Sequence, residues 1–212
     1  DAALAPHLTV VRPPGPGPYP TALQLPGCGG RKGYQDTWAG VARAAGWAVV
    51  VVDSCAPRGI SSLEARATVC SGLRLWGRQR AGDVYAALAY TRAQPWADPE
   101  RLALAGWSHG AWTVMDALAL PPDRRAEATG LADLAPDPLA GVRAAVLFYP
   151  YAGRAALPAQ LGWQARPQTL AILAGRDLVV GTAAPRRHLE ALLAQGLPIR
   201  IERFAQATHA FD

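Results

Sequence analysis

Short apolar runs bounded by Gly, Pro or Asp recur along the chain, and stretches of helical periodicity separate most of them. Residues Leu8 to Val11, Thr21 to Leu25, Trp47 to Val52, Leu102 to Ala105, Ala144 to Phe148, Thr169 to Ala174 and Ile199 to Phe204 read as strands. Trp47 to Val52 is apolar at every position and is bounded by Asp53, the pattern of a strand covered on both faces. Helices are predicted over Thr37 to Ala45, which stops at Gly46, and over Arg80 to Ala93, which Pro95 closes. Two more span His109 to Leu120, stopped by Pro121-Pro122, and Ala184 to Ala194. Asp98-Pro99-Glu100-Arg101 predicts a turn ahead of its strand, and alternating Pro and Gly from Pro13 to Pro20 mark residues 1–20 as an extended segment plus the first strand.

Strands that alternate with amphipathic helices require crossover connections, so the sheet is expected to be mainly parallel and covered on both sides. The expectation is one doubly wound α/β domain over residues 1–212. The connector Pro121 to Gly141 has room for a small flap at most, so a minimal cap or none is expected over the sheet's rim.

Composition narrows the function classes. Half of the residues are hydrophobic and 17% are charged, enough for a sizeable core. The longest apolar runs are far short of the roughly 20 residues that span a bilayer, so no membrane span is expected. A net charge of +5 raises the question of an acidic partner, but the arginines are scattered from Arg12 to Arg203 and Lys32 is the only lysine, so no nucleic-acid footprint emerges. The chain opens on Asp1 with no signal-like apolar segment, which leaves a removed leader and a trimmed chain equally open. Three cysteines allow one disulfide; Cys55 and Cys70, flanking a polar connection, are the expected pair, and a bridge there favours a periplasmic or secreted setting over a cytoplasmic one.

The chemistry concentrates at Gly106-Trp107-Ser108-His109-Gly110, a G-x-S-x-G pattern between a strand and a helix. Glycines two before and two after the serine let the backbone turn sharply and present the hydroxyl at the sheet's carboxyl edge; the plainer reading is a serine capping the helix. A serine hydroxyl needs a base. Of four histidines, His7 precedes the fold, His188 sits among arginines on a helix and His109 is the serine's neighbour, which leaves His209. A carboxylate must hold that imidazole in one tautomer, and Asp177, in the loop after the strand ending at Ala174, is the candidate, with Asp53 its competitor. An oxyanion would be met by the backbone N–H groups of His109 and of Cys28 in the loop Gly27-Cys28-Gly29-Gly30. No cysteine or histidine pair has metal-ligand spacing, and no cofactor is expected.

Leu25-Pro26-Gly27-Cys28-Gly29-Gly30, Asp53-Ser54-Cys55-Ala56-Pro57-Arg58-Gly59, the elbow at Ser108, Phe148-Tyr149-Pro150 and Thr208-His209-Ala210-Phe211 together resemble the dienelactone hydrolase family, over nearly the whole chain. The resemblance implies the α/β-hydrolase fold and hydrolysis of carboxylic esters or lactones through an acyl-enzyme. Two departures stand out: Pro26 occupies a place where relatives commonly carry histidine, and Ser108 replaces the cysteine of the namesake enzymes.

Aromatic residues near the expected rim, Tyr34, Trp107, Tyr149, Tyr151 and Trp163, suggest a pocket lining, and Arg58, with Arg31 and Lys32, could receive a substrate carboxylate. The partner expected is therefore a small-molecule ester or lactone, acted on by a monomer or small homo-oligomer. A serine peptidase or acyltransferase with the same three side chains is the second reading, and a non-catalytic binding protein on the same scaffold the third.

Overall fold

The computed structural model describes residues 3–212, so the reading of Asp1 lies outside them. Seven strands form one sheet: β1 (Leu8–Val11), β2 (Tyr19–Leu25), β3 (Ala48–Val52), β4 (Ala97–Trp107), β5 (Val142–Phe148), β6 (Gln168–Ala174) and β7 (Ile199–Phe204), in the spatial order β1-β3-β2-β4-β5-β6-β7. All neighbours are parallel except β1, which pairs antiparallel with β3 at the edge. The helices are α1 (Gly33–Ala44), α2 (Ser62–Glu64), α3 (Gly77–Arg92), α4 (His109–Ala119), α5 (Arg125–Thr129) and α6 (Ala183–Ala194).

Pleating explains why β3 is apolar without interruption. Val50 and Val52 join the main core with Leu23, Leu104 and Leu147 under α3, α4 and α6, while Val49 and Val51 pack on Ala39 and Ala42 of α1 on the opposite face. The doubly wound expectation therefore holds. The connector after α4 makes only a helical turn and α5, whose Arg125 is buried and places its guanidinium over the Tyr85 ring of α3.

Local chemistry moved several boundaries. Helices α1 and α3 each start earlier than the periodicity predicts, because the Gln35 and Gln79 side chains accept the N–H of Lys32 and Trp76 and cap the first turn. The stretch Asp98 to Arg101, expected as a turn, is continuous with β4, whose pairing with β2 shifts register between Tyr19 and Thr21 to absorb it.

The order β3-β2-β4 places the reversal of the winding between β2 and β4: the chain leaves β2 toward one edge of the sheet and leaves β4 toward the other. Connections diverge there and open a crevice at the carboxyl ends of both strands. The loop after β2 carries Cys28, and the turn after β4 carries Ser108.

The interior of α4 holds one costly group. Asp116 is buried, its Oδ1 accepting the Leu157 N–H at 2.9 Å, and burial pushes its carboxyl up to about 7. An unfolded-state value near 3.8 means that the folded chain binds the extra proton between these limits. The associated stability is full at low pH and is lost as pH rises through about 7. Denaturant unfolding at several pH values should show Asp116→Asn gaining on the wild type between pH ~4 and ~8, by up to about 1.4 kcal/mol per pH unit; a pH-independent difference would contradict this account.

Candidate active site

Ser108 has φ 53 and ψ −112, a conformation that L residues rarely adopt. The flanking glycines make it attainable. A Cβ on Gly110 would lie 1.8 Å from the Leu25 carbonyl oxygen, and one on Gly106 would lie 2.6 Å from the backbone of Ala111. The elbow is thus pressed against the end of β2, which brings Gly27 beside the serine: a Cβ there would sit 3.7 Å from that of Ser108.

Chain segments far apart in sequence converge on the hydroxyl. His209 Nε2 lies 2.9 Å from Ser108 Oγ, and His209 Nδ1 lies 2.7 Å from Asp177 Oδ2. Asp177 is buried, and its other oxygen accepts the N–H groups of Val179 and Val180 at 2.9 and 3.0 Å, so the carboxylate cannot swing away. An ionised carboxylate only accepts, which assigns the imidazole proton to Nδ1 and leaves the Nε2 lone pair toward the serine. Asp53 is occupied elsewhere: its Oδ1 caps the N–H groups of Cys55 and Ala56.

His109 begins α4, so its N–H is one of the unpaired donors of a helix start. Cys28 N–H meets no acceptor among the described residues, while Gly30 N–H closes the loop on the Gly27 carbonyl. The His109 side chain turns inward, where burial, reinforced by the charge of Arg80, pushes it down to about 3.

Asp212 is a member of this constellation that no sequence pattern marks. Its carboxylate accepts from Trp107 Nε1 at 2.7 Å and from the Tyr149 hydroxyl at 2.5 Å. Tyr149 in turn presents its ring edge-on to His209, with centroids 4.7 Å apart. The segment carrying the imidazole is thereby tied to the residue preceding the serine. Burial, with Asp212 as acceptor, drives the Tyr149 hydroxyl far above its ordinary range and keeps it a donor.

The expected substrate contacts need correction. Trp107 is buried and stacked on Phe148 at 4.8 Å, with its N–H given to Asp212, and Tyr149 is likewise buried behind the histidine. Trp163 belongs to the main core beneath the sheet, because the neighbouring Gln164 N–H bonds to Leu118 near the far end of α4. Arg58 gives both guanidinium nitrogens to Asp83 at 2.9 Å and is not free for a ligand. Tyr34 is half-open, its ring 6.3 Å from Trp107, its hydroxyl raised by burial. Small cavities match this picture: about 120 Å³ lies between the loops after β2 and β3, over Arg80 and beside Gly27. A larger groove of about 800 Å³ along β5, β6 and β7 includes none of these site residues.

The disulfide pairing also differs from expectation. Cys28 is bonded to Cys70, with Cα atoms 5.1 Å apart, and Cys55 is the free thiol. The excursion from Ser54 to Trp76 folds back so that its far end, not its near end, covers the glycine loop; Cys55 is held in the turn that Asp53 caps, and burial raises its thiol.

Solved structures share this architecture. A putative dienelactone hydrolase from Klebsiella pneumoniae superposes with a TM-score of 0.71 at 15% identity, covering 96% of this chain and 81% of that one. An esterase from Thermogutta terrifontis with propionate bound gives 0.71 at 17% identity, covering 96% and 79%. This chain has the α/β-hydrolase fold. The same Thermogutta esterase, phosphonylated by cyclosarin, superposes at 0.67 and 15% identity over 96% of this chain and 79% of that one. On the sequence side, the profile of the Prolyl oligopeptidase family matches residues 38–126, a stretch of the α/β-hydrolase fold that includes the serine elbow. A probable dipeptidyl-aminopeptidase B from Fusarium vanettenii is 42% identical over 85 residues, which is 39% of this chain and 9% of that protein, so the chain spans about a tenth of that relative's length. Among the described residues, no helix is long and apolar enough to cross a membrane.

The disulfide assignment has a direct check. Alkylation of the denatured, unreduced protein should modify one thiol, at Cys55, and all three after reduction; peptide mapping that finds Cys28 alkylated before reduction would refute the pairing.

Proposed function

We propose that this protein is a serine esterase or lactonase that works through an acyl-enzyme. The observation that carries the reading is the unbroken hydrogen-bonded line from Asp177 through His209 to Ser108, at the rim where β2 and β4 diverge. Ser108 Oγ attacks the carbonyl carbon while His209 Nε2 takes its proton, and Asp177 stabilises the imidazolium that forms. The carbonyl oxygen, gaining negative charge, is met by the N–H groups of His109 and Cys28. Collapse of the tetrahedral species breaks the ester C–O bond, and His209 returns the proton to the departing alkoxide. Water then repeats the sequence and releases the carboxylic acid.

Among the described residues the connector after α4 forms no cap over the rim, which suits an open approach. Solved esterases and a putative dienelactone hydrolase of the same fold support an ester or lactone as substrate. A second reading, peptide hydrolysis, is favoured by the Prolyl oligopeptidase profile, which spans the elbow, and by the dipeptidyl-aminopeptidase segment. The same three side chains serve either leaving group, so substrates decide between them.

A fluorophosphonate probe should label the wild type and not Ser108→Ala; equal labelling of both removes the serine from the role. With p-nitrophenyl acetate and butyrate, His209→Ala and Asp177→Asn should each lose on the order of 10³ to 10⁴ in rate, whereas Asp53→Asn should retain activity. Faster turnover of dipeptidyl p-nitroanilides than of these esters would move the assignment to the peptidase reading.

A further inference from the structure

Arg80 stands in the first turns of α3 and is 3% exposed, yet it bonds to none of the three side chains proposed for catalysis. Its contacts reach instead to the connections after three different strands. Nη1 donates to the Pro26 carbonyl at 2.8 Å, two residues before Cys28, and lies 3.2 Å from Nδ1 of His109. Nε donates to Ser54 Oγ at 2.7 Å, beyond the end of β3. One planar guanidinium thus links the glycine loop, the segment after β3 and the residue that follows the serine.

We propose that Arg80 is a positioning residue for the oxyanion donors, holding the backbone of Cys28 and of His109 in one fixed relation. The inference rests on the esterase reading above. Fixing the Pro26 carbonyl sets the peptide that leads into Gly27, and the Gly27–Gly30 bond then closes the loop with the Cys28 N–H uncommitted. On the other side, the His109 ring accepts from Arg80 only while neutral, and its burial keeps it so throughout the working range. The ring's other nitrogen, Nε2, is buried and has no partner at hydrogen-bond geometry among the described residues. A backbone donor contributes to catalysis only if it is already in place when charge develops, and that is what a rigid three-way anchor provides.

A buried cation is a costly way to fill space, since an apolar side chain of similar volume is often as stabilising. Arg80 gains partial compensation from Asp83, which itself is gripped by Arg58. Lysine cannot substitute for this geometry: a single ammonium on a flexible stem does not reach three acceptors in a plane.

The test compares wild type, Arg80→Lys and Ser54→Ala as full chains, with active sites counted by end-point fluorophosphonate labelling so that misfolded protein is not scored. For p-nitrophenyl acetate, Arg80→Lys should lower kcat per labelled site by about 10- to 100-fold with KM changed less than about threefold, and affinity for a trifluoromethyl ketone, whose adduct carries the oxyanion, should fall in proportion. Ser54→Ala, which removes one anchor, should lower kcat several-fold in the same manner. Labelled sites of both variants turning over at the wild-type rate, with losses confined to the labelled fraction or to Tm, would overturn the inference. So would a loss seen in KM with kcat preserved. If Arg80→Lys yields no folded protein, Ser54→Ala decides by the same criteria. Lack of Ser108-dependent turnover in the wild type is a separate failure and overturns the esterase reading itself.

Discussion

The geometry of the site depends on how closely the turn at Ser108 can approach the end of β2. A side chain at position 110 would occupy the space of the Leu25 carbonyl, so only a glycine lets the two strand ends meet. That single steric allowance places the glycine loop beside the serine and gives the reversal of strand order a chemical meaning. The serine pays for its exposure in backbone strain, and the sheet holds it there through the Ser108 N–H bond to the Phe148 carbonyl at 2.9 Å.

Around the turn, polar groups are buried in numbers that a core built for stability alone would avoid. Asp177, Arg80 and His109 are all nearly inaccessible, and each is retained by specific partners or left neutral. They fall into two sets on either side of the serine. Asp177, Tyr149 and Asp212 fix the imidazole from the β5–β7 side, and Arg80 with Ser54 organises the loop after β2 from the other. The disulfide from Cys28 to Cys70 adds a covalent tie to that second set, anchoring the glycine loop to the excursion that covers it.

Some of this was legible in the chain. The alternation of β-branched runs with helical periodicity, the glycines spaced around Ser108 and the order serine, aspartate, histidine all rest on local rules or on where loops must fall in a parallel sheet. The aromatic residues misled for an equally physical reason: Trp107 and Trp163 look alike in sequence, but hydrophobic burial draws large rings inward wherever space exists, and adjacency to a loop does not say which way a ring turns. Arg80 was hidden because α3 carries Arg78 two residues earlier, and nothing local separates the one over the Trp76 ring from the one in the interior.

What the amino-acid order determined by itself is whatever arises within one turn or one strand: the elements, their winding and the strained elbow. Only the tertiary structure decided which cysteine meets Cys70, which arginine is buried and that Asp212 clamps the histidine loop. Those contacts join residues 42, 54 and 105 positions apart, and their formation depends on the path of every element between them. Periodicity carries no information about such meetings, because it reports which face a residue occupies and not what lies across from it.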